Sequence, residues 1–401
     1  MNWRASVAAA VAVMSLLAPI CPDVRGAETD LPAPGNNKVA YYVFDSGGPD
    51  HYPMPTFTDA ANIVVVFEGT LWELADSTHY ATSWMRNVNY HSHAEVLRDI
   101  KALQAQGVKV LMNVDDAPSW SSATPFTTYD GTQLNVQEFA AFIKACAIDS
   151  VGLDGISLDI EHGATGNSTY ISLIKEIGKY FGPLSPDSTS KMYVAAIYAG
   201  GEPGPVIGKS RETTAYMNFI MDMAYFVWDY AARFRQWADS IGSSKTMIGV
   251  LNDYYDVSHA MSAAAWQPAS PPKAGIMVYA ANNLKAYTDA VFNALAVPTG
   301  ADTDPGPADR IPEDYVLLQN YPNPFNASTV MRFIVGGQGP SRVRLTVSDM
   351  LGREVAVLVD ETRAPGRYEA RWEAAGLPSG VYFCRLTADA YVEVKAMVLL
   401  K

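Results

Sequence analysis

Short apolar runs recur through the first three quarters of the chain, and most are separated by stretches whose apolar residues follow helical spacing. Eight such runs lie between Lys38 and Pro298, at residues 39–44, 63–67, 108–114, 153–160, 192–197, 219–225, 247–251 and 275–279. Eight strands alternating with helices over about 260 residues predict an α/β fold, a (β/α)₈ TIM barrel at residues 38–297. An open doubly wound sheet is the alternative.

The pattern changes after Pro298. Residues 298–314 are rich in Thr, Gly, Asp and Pro and nearly free of apolar side chains, which predicts a linker. Residues 315–401 then alternate apolar and polar positions at 330–335, 343–347, 367–372, 381–386 and 392–400, with turn residues between them. This second domain is predicted to be a small antiparallel β-sandwich.

Composition narrows the classes of partner. The chain has 401 residues, of which 49% are hydrophobic and 18% charged, so it can bury a large core. Its net charge of −13 argues against nucleic acid and anionic membranes and fits a protein that acts on neutral polymers. After the N-terminal segment, no apolar run reaches the roughly 18 residues that a transmembrane helix needs.

The N-terminus predicts export. Residues 1–27 combine Arg4, an apolar run at 7–18 and the small residues Gly26 and Ala27, as in a secretory signal peptide. The mature protein is therefore expected to be secreted or attached to the cell surface. Cys146 and Cys384 fall in different predicted domains, which favours buried thiols over a disulfide.

The stretch at residues 153–162, Leu-Asp-Gly-Ile-Ser-Leu-Asp-Ile-Glu-His, carries the strongest chemical signal. Period-2 alternation separates its Ile and Leu side chains from Ser157, Asp159 and Glu161. Carboxylates two residues apart on a strand are about 6.5–7 Å apart along its axis, close enough to act on one substrate. Acidic residues at strand ends are more often solvated or paired with a cation, but no Lys or Arg lies between Lys144 and Lys175.

This stretch resembles the D-G-x-D-x-D-x-E signature of family 18 glycoside hydrolases, the chitinases and endo-β-N-acetylglucosaminidases. The match covers Asp154, Gly155, Asp159 and Glu161, and the chain departs from it at Ser157, where the family usually has Asp or Asn. The resemblance implies that Glu161 is the general acid. A partly dry pocket and a neighbouring negative charge would both raise its pKa and so favour its protonated form. It also implies substrate-assisted catalysis with retention, in which Asp159 orients the acetamido group and stabilises an oxazolinium-like intermediate.

Further site residues follow from the same resemblance. Residues 221–225, Met-Asp-Met-Ala-Tyr, resemble the Met-x-Tyr strand of the family and make Tyr225 the expected hydroxyl donor to the acetamido oxygen; a core tyrosine is the alternative. Ser157 in place of a carboxylate removes a relay for Asp159, so slower turnover is expected. Tyr279 stands where the family usually places a Trp at the floor of the sugar site.

Other residues could contact sugar because they follow predicted strands. Trp120 and Asp115 follow the third run, and Trp228 follows the sixth; packing is the alternative role for each Trp. About 23 residues separate the seventh and eighth runs, which leaves no room for an inserted domain and indicates an open cleft suited to a branched glycan. The Ile-Glu-His ending resembles that of some bacterial endo-β-N-acetylglucosaminidases.

The tail resembles the C-terminal sorting domains of the type IX secretion system of Bacteroidetes-like bacteria. The resemblance covers residues 321–326, Tyr-Pro-Asn-Pro-Phe-Asn, residues 351–355, Leu-Gly-Arg-Glu-Val, residues 379–382, Ser-Gly-Val-Tyr, and the terminal Met-Val-Leu-Leu-Lys. It implies that the secretion machinery is a partner of the protein. A fibronectin-like or carbohydrate-binding module is the alternative.

Three functions remain open at this point. They are an endoglycosidase that cuts the GlcNAc-β-1,4-GlcNAc core of N-linked glycans, which is the leading hypothesis, a chitinase-type hydrolase of another GlcNAc-containing polysaccharide, and a catalytically impaired glycan-binding protein. No metal or other cofactor is expected, because the six His and three Cys residues show no ligand spacing and no phosphate-binding loop is visible.

Overall fold

The structure, a computed structural model, describes most of the chain from Gly35 to Lys401. The described residues are 35–44, 52–67, 71–82, 85–115, 126–127, 132–161, 167–186, 191–200, 204–225, 227–268, 271–295, 315–320, 323–337 and 339–401. The predicted signal peptide and the predicted linker lie outside them.

Eight parallel strands close into a barrel in the order in which they occur along the chain. They are β1 (Asn37–Val43), β2 (Ile63–Phe67), β3 (Lys109–Asp115), β6 (Gly155–Ile160), β7 (Met192–Ile197), β8 (Phe219–Asp222), β9 (Thr246–Val250) and β10 (Gly275–Val278). The intervening β4 (Phe126–Thr127) and β5 (Gln133–Leu134) form a separate antiparallel hairpin. The barrel closes where residues 37–40 of β1 pair with residues 275–278 of β10. The TIM-barrel prediction is confirmed, and the open sheet is excluded.

Helices alternate with these strands. They are α1 (Leu71–Ala75), α2 (His93–Ala105), α3 (Val136–Lys144), α4 (Ser168–Ile177), α5 (Gly204–Ser210), α6 (Tyr230–Ile241), α7 (Val257–Ala265) and α8 (Lys285–Ala294). Capping boxes begin α2, at Ser92 and Glu95, and α3, at Asn135 and Glu138, because each pair satisfies backbone N–H groups that the first helical turn leaves free. After Lys144 the chain continues as a π-helical turn (Ala145–Ser150).

Apolar side chains from alternate strand positions fill the barrel interior. The buried members of this cluster are Val39, Tyr41, Ile63, Val65, Leu111, Met192, Val194, Ala196, Phe219, Met221, Met223, Met247, Ala274 and Met277. Paired residues of neighbouring parallel strands point to the same side of the sheet, so the register with β7 identifies the inward positions of β6. Ser157 pairs with Val194 and Asp159 with Ala196, which puts both polar residues on the inward face.

Two antiparallel sheets form the C-terminal domain. One has the order β11 (Val316–Leu317), β12 (Ser328–Val335), β15 (Gly366–Glu373); the other has the order β14 (Glu354–Arg363), β13 (Ser341–Asp349), β16 (Gly380–Ala388), β17 (Tyr391–Leu399). Their facing side chains, among them Phe333, Leu345 and Leu386, form one buried core. β14 was not predicted, because most of its residues are exposed or half-buried at the sheet edge and lack a clear apolar alternation.

Three smaller expectations can also be compared with the structure. Cys146 and Cys384 are both free and buried, and burial raises the pKa of each thiol to about 12. The connection between β9 and β10, in which residues 269–270 are not described, contains α7 and turns rather than an inserted domain. None of the described helices combines the length and the apolar character that crossing a membrane requires.

Candidate active site

The carboxyl end of β6 brings the predicted acidic residues to the mouth of the barrel. Asp159 is inward-facing and 5% exposed, whereas Glu161 follows the last residue of the strand and is exposed. The extended backbone continues past the strand, since Tyr198 donates its N–H to the carbonyl of Ile160. One carboxylate is thus held in the barrel and the next lies where a substrate can reach it.

The first two residues of the motif are structural. The Asp154 carboxylate accepts hydrogen bonds from the Val110 backbone and the Gln104 amide, both at 2.9 Å, and so ties the beginning of β6 to β3 and α2. At Gly155 an added Cβ would lie 2.1 Å from the Met192 carbonyl oxygen, so only glycine lets β6 approach β7 at this point.

Ser157 has a partner that the sequence analysis did not identify. Its Oγ lies 2.6 Å from the hydroxyl of Tyr41 on β1, across the barrel interior, and both side chains are buried. On the neighbouring strand β3, Asn113 pairs in register with Ser157 and is 7% exposed. Where the resembled family usually has Asp or Asn, this chain therefore has a neutral serine hydroxyl that is hydrogen-bonded to a tyrosine.

Tyr225 lies beyond β8 against the interior cluster. Its hydroxyl oxygen is buried and has no hydrogen-bond partner among the described residues. Gly249 on β9 makes room for the ring, because an added Cβ would lie 3.2 Å from Tyr225 Cε1 and 2.7 Å from the Asp222 carbonyl oxygen. A buried hydroxyl without a partner is uncommon, and the position of this one beside the barrel mouth makes Tyr225 a candidate to contact a ligand.

Tyr279 joins the aromatic side chains around the mouth. Its ring centroid is 5.8 Å from that of Tyr225, 6.0 Å from that of Tyr41 and 5.4 Å from that of Phe67. Phe67, Tyr225 and Tyr279 lie at or beyond the carboxyl ends of β2, β8 and β10, and they pack in tilted and edge-to-face contacts above the buried Tyr41 of β1.

Electrostatics link these aromatic residues to the acidic pair. Burial raises the pKa of Tyr41 and of Tyr225 far above the usual value of a phenol, and the charges of Asp159 and Glu161 raise both further. Burial followed by the charge of Glu161 also raises the pKa of Tyr198. The three hydroxyls therefore stay protonated and can act as hydrogen-bond donors.

The remaining predicted site residues are Asp115, Trp228 and Trp120. Asp115 ends β3 in register with Asp159. Trp228 is half-buried, with its ring edge-to-face on His259 at 5.0 Å and the Arg367 guanidinium 5.4 Å from its centroid. Trp120 lies outside the described residues. Among the residues that the structure describes, no group of His, Cys, Asp or Glu could hold a metal ion.

Tyr41, Asn113 and Gly249 were not predicted as site residues. The period-2 pattern of the first apolar run already places Tyr41 on the same side as Val39, but the partner strand that gives this position meaning is 116 residues away. Gly249 carries no chemical signal in sequence, since its contribution is the space that a side chain would remove.

Two stretches of the chain match family models. Residues 83–278 match the TIM-barrel domain of the endo-β-N-acetylglucosaminidase EndoS, and residues 319–400 match the secretion system C-terminal sorting domain. Among solved structures, the apo endo-β-N-acetylglucosaminidase from Cordyceps militaris is 20% identical over 65% of this chain and 90% of that chain, with a TM-score of 0.46. Catalytic domain 2 of the Group II chitinase from Ostrinia furnacalis is 15% identical over 54% of this chain and 64% of that chain, with a TM-score of 0.34.

The two family models each correspond to one of the domains seen in the fold. The barrel is similar to the TIM-barrel domain of an endo-β-N-acetylglucosaminidase, which supports a glycoside hydrolase. The tail is a C-terminal sorting domain, which indicates type IX secretion to the cell surface or the extracellular space and confirms that part of the sequence prediction.

Proposed function

We propose that this protein is a retaining endo-β-N-acetylglucosaminidase that hydrolyses the GlcNAc-β-1,4-GlcNAc core of N-linked glycans. The observation that carries the proposal is the position of Asp159 and Glu161 at the carboxyl end of β6, on the barrel mouth that also holds the unpartnered hydroxyl of Tyr225. The match of residues 83–278 to the EndoS barrel supports this substrate class.

The first half of the reaction breaks the glycosidic bond. Glu161 donates its proton to the leaving oxygen as the C1–O bond breaks, and the carbonyl oxygen of the substrate's own 2-acetamido group forms the new bond to C1. Asp159 accepts a hydrogen bond from the acetamido N–H and stabilises the positive oxazolinium ring. The Tyr225 hydroxyl donates to the acetamido oxygen, and its orientation is supported by the ring of Tyr279.

The second half restores the enzyme. The Glu161 carboxylate takes a proton from water, whose oxygen attacks C1 from the side that the leaving group vacated. The C1–O bond of the oxazolinium ring breaks, the acetamido group is regenerated, and the product keeps the β configuration. No nucleophile from the protein is required.

The mechanism can be tested by changing the substrate's nucleophile. Replacing the 2-acetamido group of the core by 2-trifluoroacetamido withdraws electrons from the carbonyl oxygen, so kcat should fall by about 10-fold or more if that oxygen attacks C1. NMR of the initial product should show the β anomer. Equal rates for the two substrates, or an α product, would rule out substrate assistance, and cleavage of chitooligosaccharides in preference to glycoproteins would select the chitinase-type alternative.

A further inference from the structure

One face of the three-stranded sheet in the sorting domain is covered, although it points away from the core of that domain. In the antiparallel pairing of β12 with β15, Arg332 lies opposite Glu369 and Ile334 opposite Arg367, on the face opposite to the core residue Phe333. Ile334 is nevertheless only 2% exposed, and the Arg332 side chain only 13%. This outer face is therefore not open to solvent.

The contacts of this outer face lead to the barrel. The Gln319 backbone N–H donates to the Asp253 carbonyl oxygen at 3.2 Å, and the Arg367 guanidinium lies over the Trp228 ring, 5.4 Å from its centroid. Burial and the charge of Asp253 raise the pKa of Tyr254 to about 12, and the charge of Arg332 from the sorting domain acts in the opposite direction. The sorting domain thus presents arginines to a surface of the barrel that is aromatic and acidic.

The barrel residues in these contacts belong to its catalytic face. Trp228 lies in the segment between β8 and α6, three residues beyond Tyr225, and Tyr254 lies between β9 and α7, so both follow the carboxyl ends of their strands.

We propose that the sorting domain docks on the rim of the active site and covers Trp228, so that the full chain is held below its full activity toward glycoproteins. The inference rests on the proposed function. A sugar stacks on the same indole face that attracts a guanidinium cation, so Arg367 and a glycan compete for Trp228. Displacement of the sorting domain then adds a stacking surface beside Tyr225 and raises the affinity for a large branched substrate.

The test is a double-mutant cycle in the full chain, with Arg367→Ala and Trp228→Ala. Arg371 supplies the matched control, because it lies on the same strand and face as Arg367, carries the same charge, and is 65% exposed. Arg367→Ala should raise kcat/KM on a glycoprotein by about threefold or more, chiefly through KM, whereas Arg371→Ala should leave it unchanged. Arg367→Lys keeps a cation at this position, so its kcat/KM should rise less than that of Arg367→Ala.

The effects of Arg367→Ala and Trp228→Ala on kcat/KM should depend on each other. Trp228→Ala should reduce kcat/KM more in the Arg367→Ala background than in the wild-type chain, because the ring contributes fully only when it is uncovered. Equal activities of the Arg367→Ala and Arg371→Ala proteins, or a gain that persists without Trp228, would overturn the proposal.

A measurement without glycan separates this inference from the assignment of function. Oxidation of Trp228 by N-bromosuccinimide, mapped by mass spectrometry, should be faster in Arg367→Ala than in the wild type and in Arg371→Ala. Equal oxidation in all three proteins would overturn the docking whatever the activities are. If the order holds but no protein cleaves any glycan, the hydrolase assignment fails, and with it the regulatory role of the docked domain.

Discussion

The hydroxyl groups of Tyr41 and Tyr225 differ in whether they have a hydrogen-bond partner. Tyr41 and Ser157 satisfy each other at 2.6 Å inside the barrel, whereas the Tyr225 hydroxyl is buried without a partner among the described residues. Removing one hydroxyl of a bonded pair leaves the other buried and unsatisfied, which costs stability, whereas removing a hydroxyl that has no partner breaks no hydrogen bond. Stability and activity should therefore respond in opposite ways to loss of the two tyrosine hydroxyls.

Tyr225→Phe should leave the free energy of unfolding within about 0.5 kcal/mol of the wild-type value, because no hydrogen bond of the folded protein is lost. The same change should lower kcat by about 10²-fold, since it removes a donor to the acetamido oxygen. Denaturant unfolding and initial rates on a released glycopeptide measure the two effects. A large loss of stability with unchanged kcat would make Tyr225 a core residue only.

Tyr41→Phe is the complementary change. It leaves Ser157 Oγ buried and without its tyrosine partner, which should cost about 1–3 kcal/mol of stability. The double variant Tyr41→Phe/Ser157→Ala removes both groups and should recover part of that loss, as denaturant unfolding can show. If the single and double variants are equally destabilised, the two hydroxyls are not coupled.

At the scale of residues, the sequence indicates candidate side chains for the site but not their contacts. The spacing of Asp159 and Glu161 follows from strand periodicity, and Tyr225 follows from the resemblance. Whether Trp228 stacks on sugar or on a side chain depends on residues more than a hundred positions away, as its contact with Arg367 illustrates. No local pattern carries that information.

Among the elements, β8 and α6 are joined by an ion pair that was not anticipated. Arg233 donates through Nε and Nη2 to the two oxygens of Asp222 at 2.7 and 2.9 Å, and through Nη1 to the Gly200 carbonyl oxygen. Both side chains are buried, and burial raises the pKa of the Asp222 carboxyl although Arg233 opposes the shift. The pair connects the strand that precedes Tyr225 to the helix and to the chain after β7.

Removing one member of this pair should be more harmful than removing both. Arg233→Met leaves the Asp222 charge buried and unpaired, at a cost of about 3–5 kcal/mol, whereas Arg233→Met/Asp222→Asn should restore much of the stability. Denaturant unfolding of the two variants at neutral pH measures the difference. Equal losses in both would show that packing, rather than charge, dominates at this site.

The strands and helices of the barrel could be predicted from the sequence because each element has its own periodicity. The predicted boundaries at 63–67 and 192–197 coincide with β2 and β7. The edge strand β14 was missed because solvent contact removes the apolar alternation that marks a strand. Element type is thus a local property, whereas edge position is not.

The interface between the barrel and the sorting domain gives the whole molecule a pH response. His259 on α7 is 2% exposed and is faced by Trp228, Asp256 and Arg367; burial, and then the Arg367 charge, lower its pKa from 6.5 to about 4. A lowered pKa in the folded state means that the unfolded chain binds the proton first. Stability from neutral His259 is complete above about pH 6.5 and is lost as the pH falls towards 4.

The wild type should therefore lose stability relative to His259→Phe by about 1.4 kcal/mol for each pH unit between 6.5 and 4. Subtracting the variant's unfolding free energies cancels the titration of distant carboxyl groups. In the Arg367→Ala background the relative loss should be smaller, because one cause of the lowered pKa is removed. A pH-independent difference between wild type and His259→Phe would contradict this account.

If the proposed function is correct, Glu161 drives hydrolysis of an N-glycan core at the mouth of this barrel. The most direct test is mass spectrometry of a high-mannose and a complex-type glycoprotein after incubation with the wild type and with Glu161→Gln. The wild type should leave a single N-acetylglucosamine on Asn, and the variant should leave the glycans intact. An equal loss of glycan with both proteins, or no cleavage of either glycoprotein by the wild type, would contradict it.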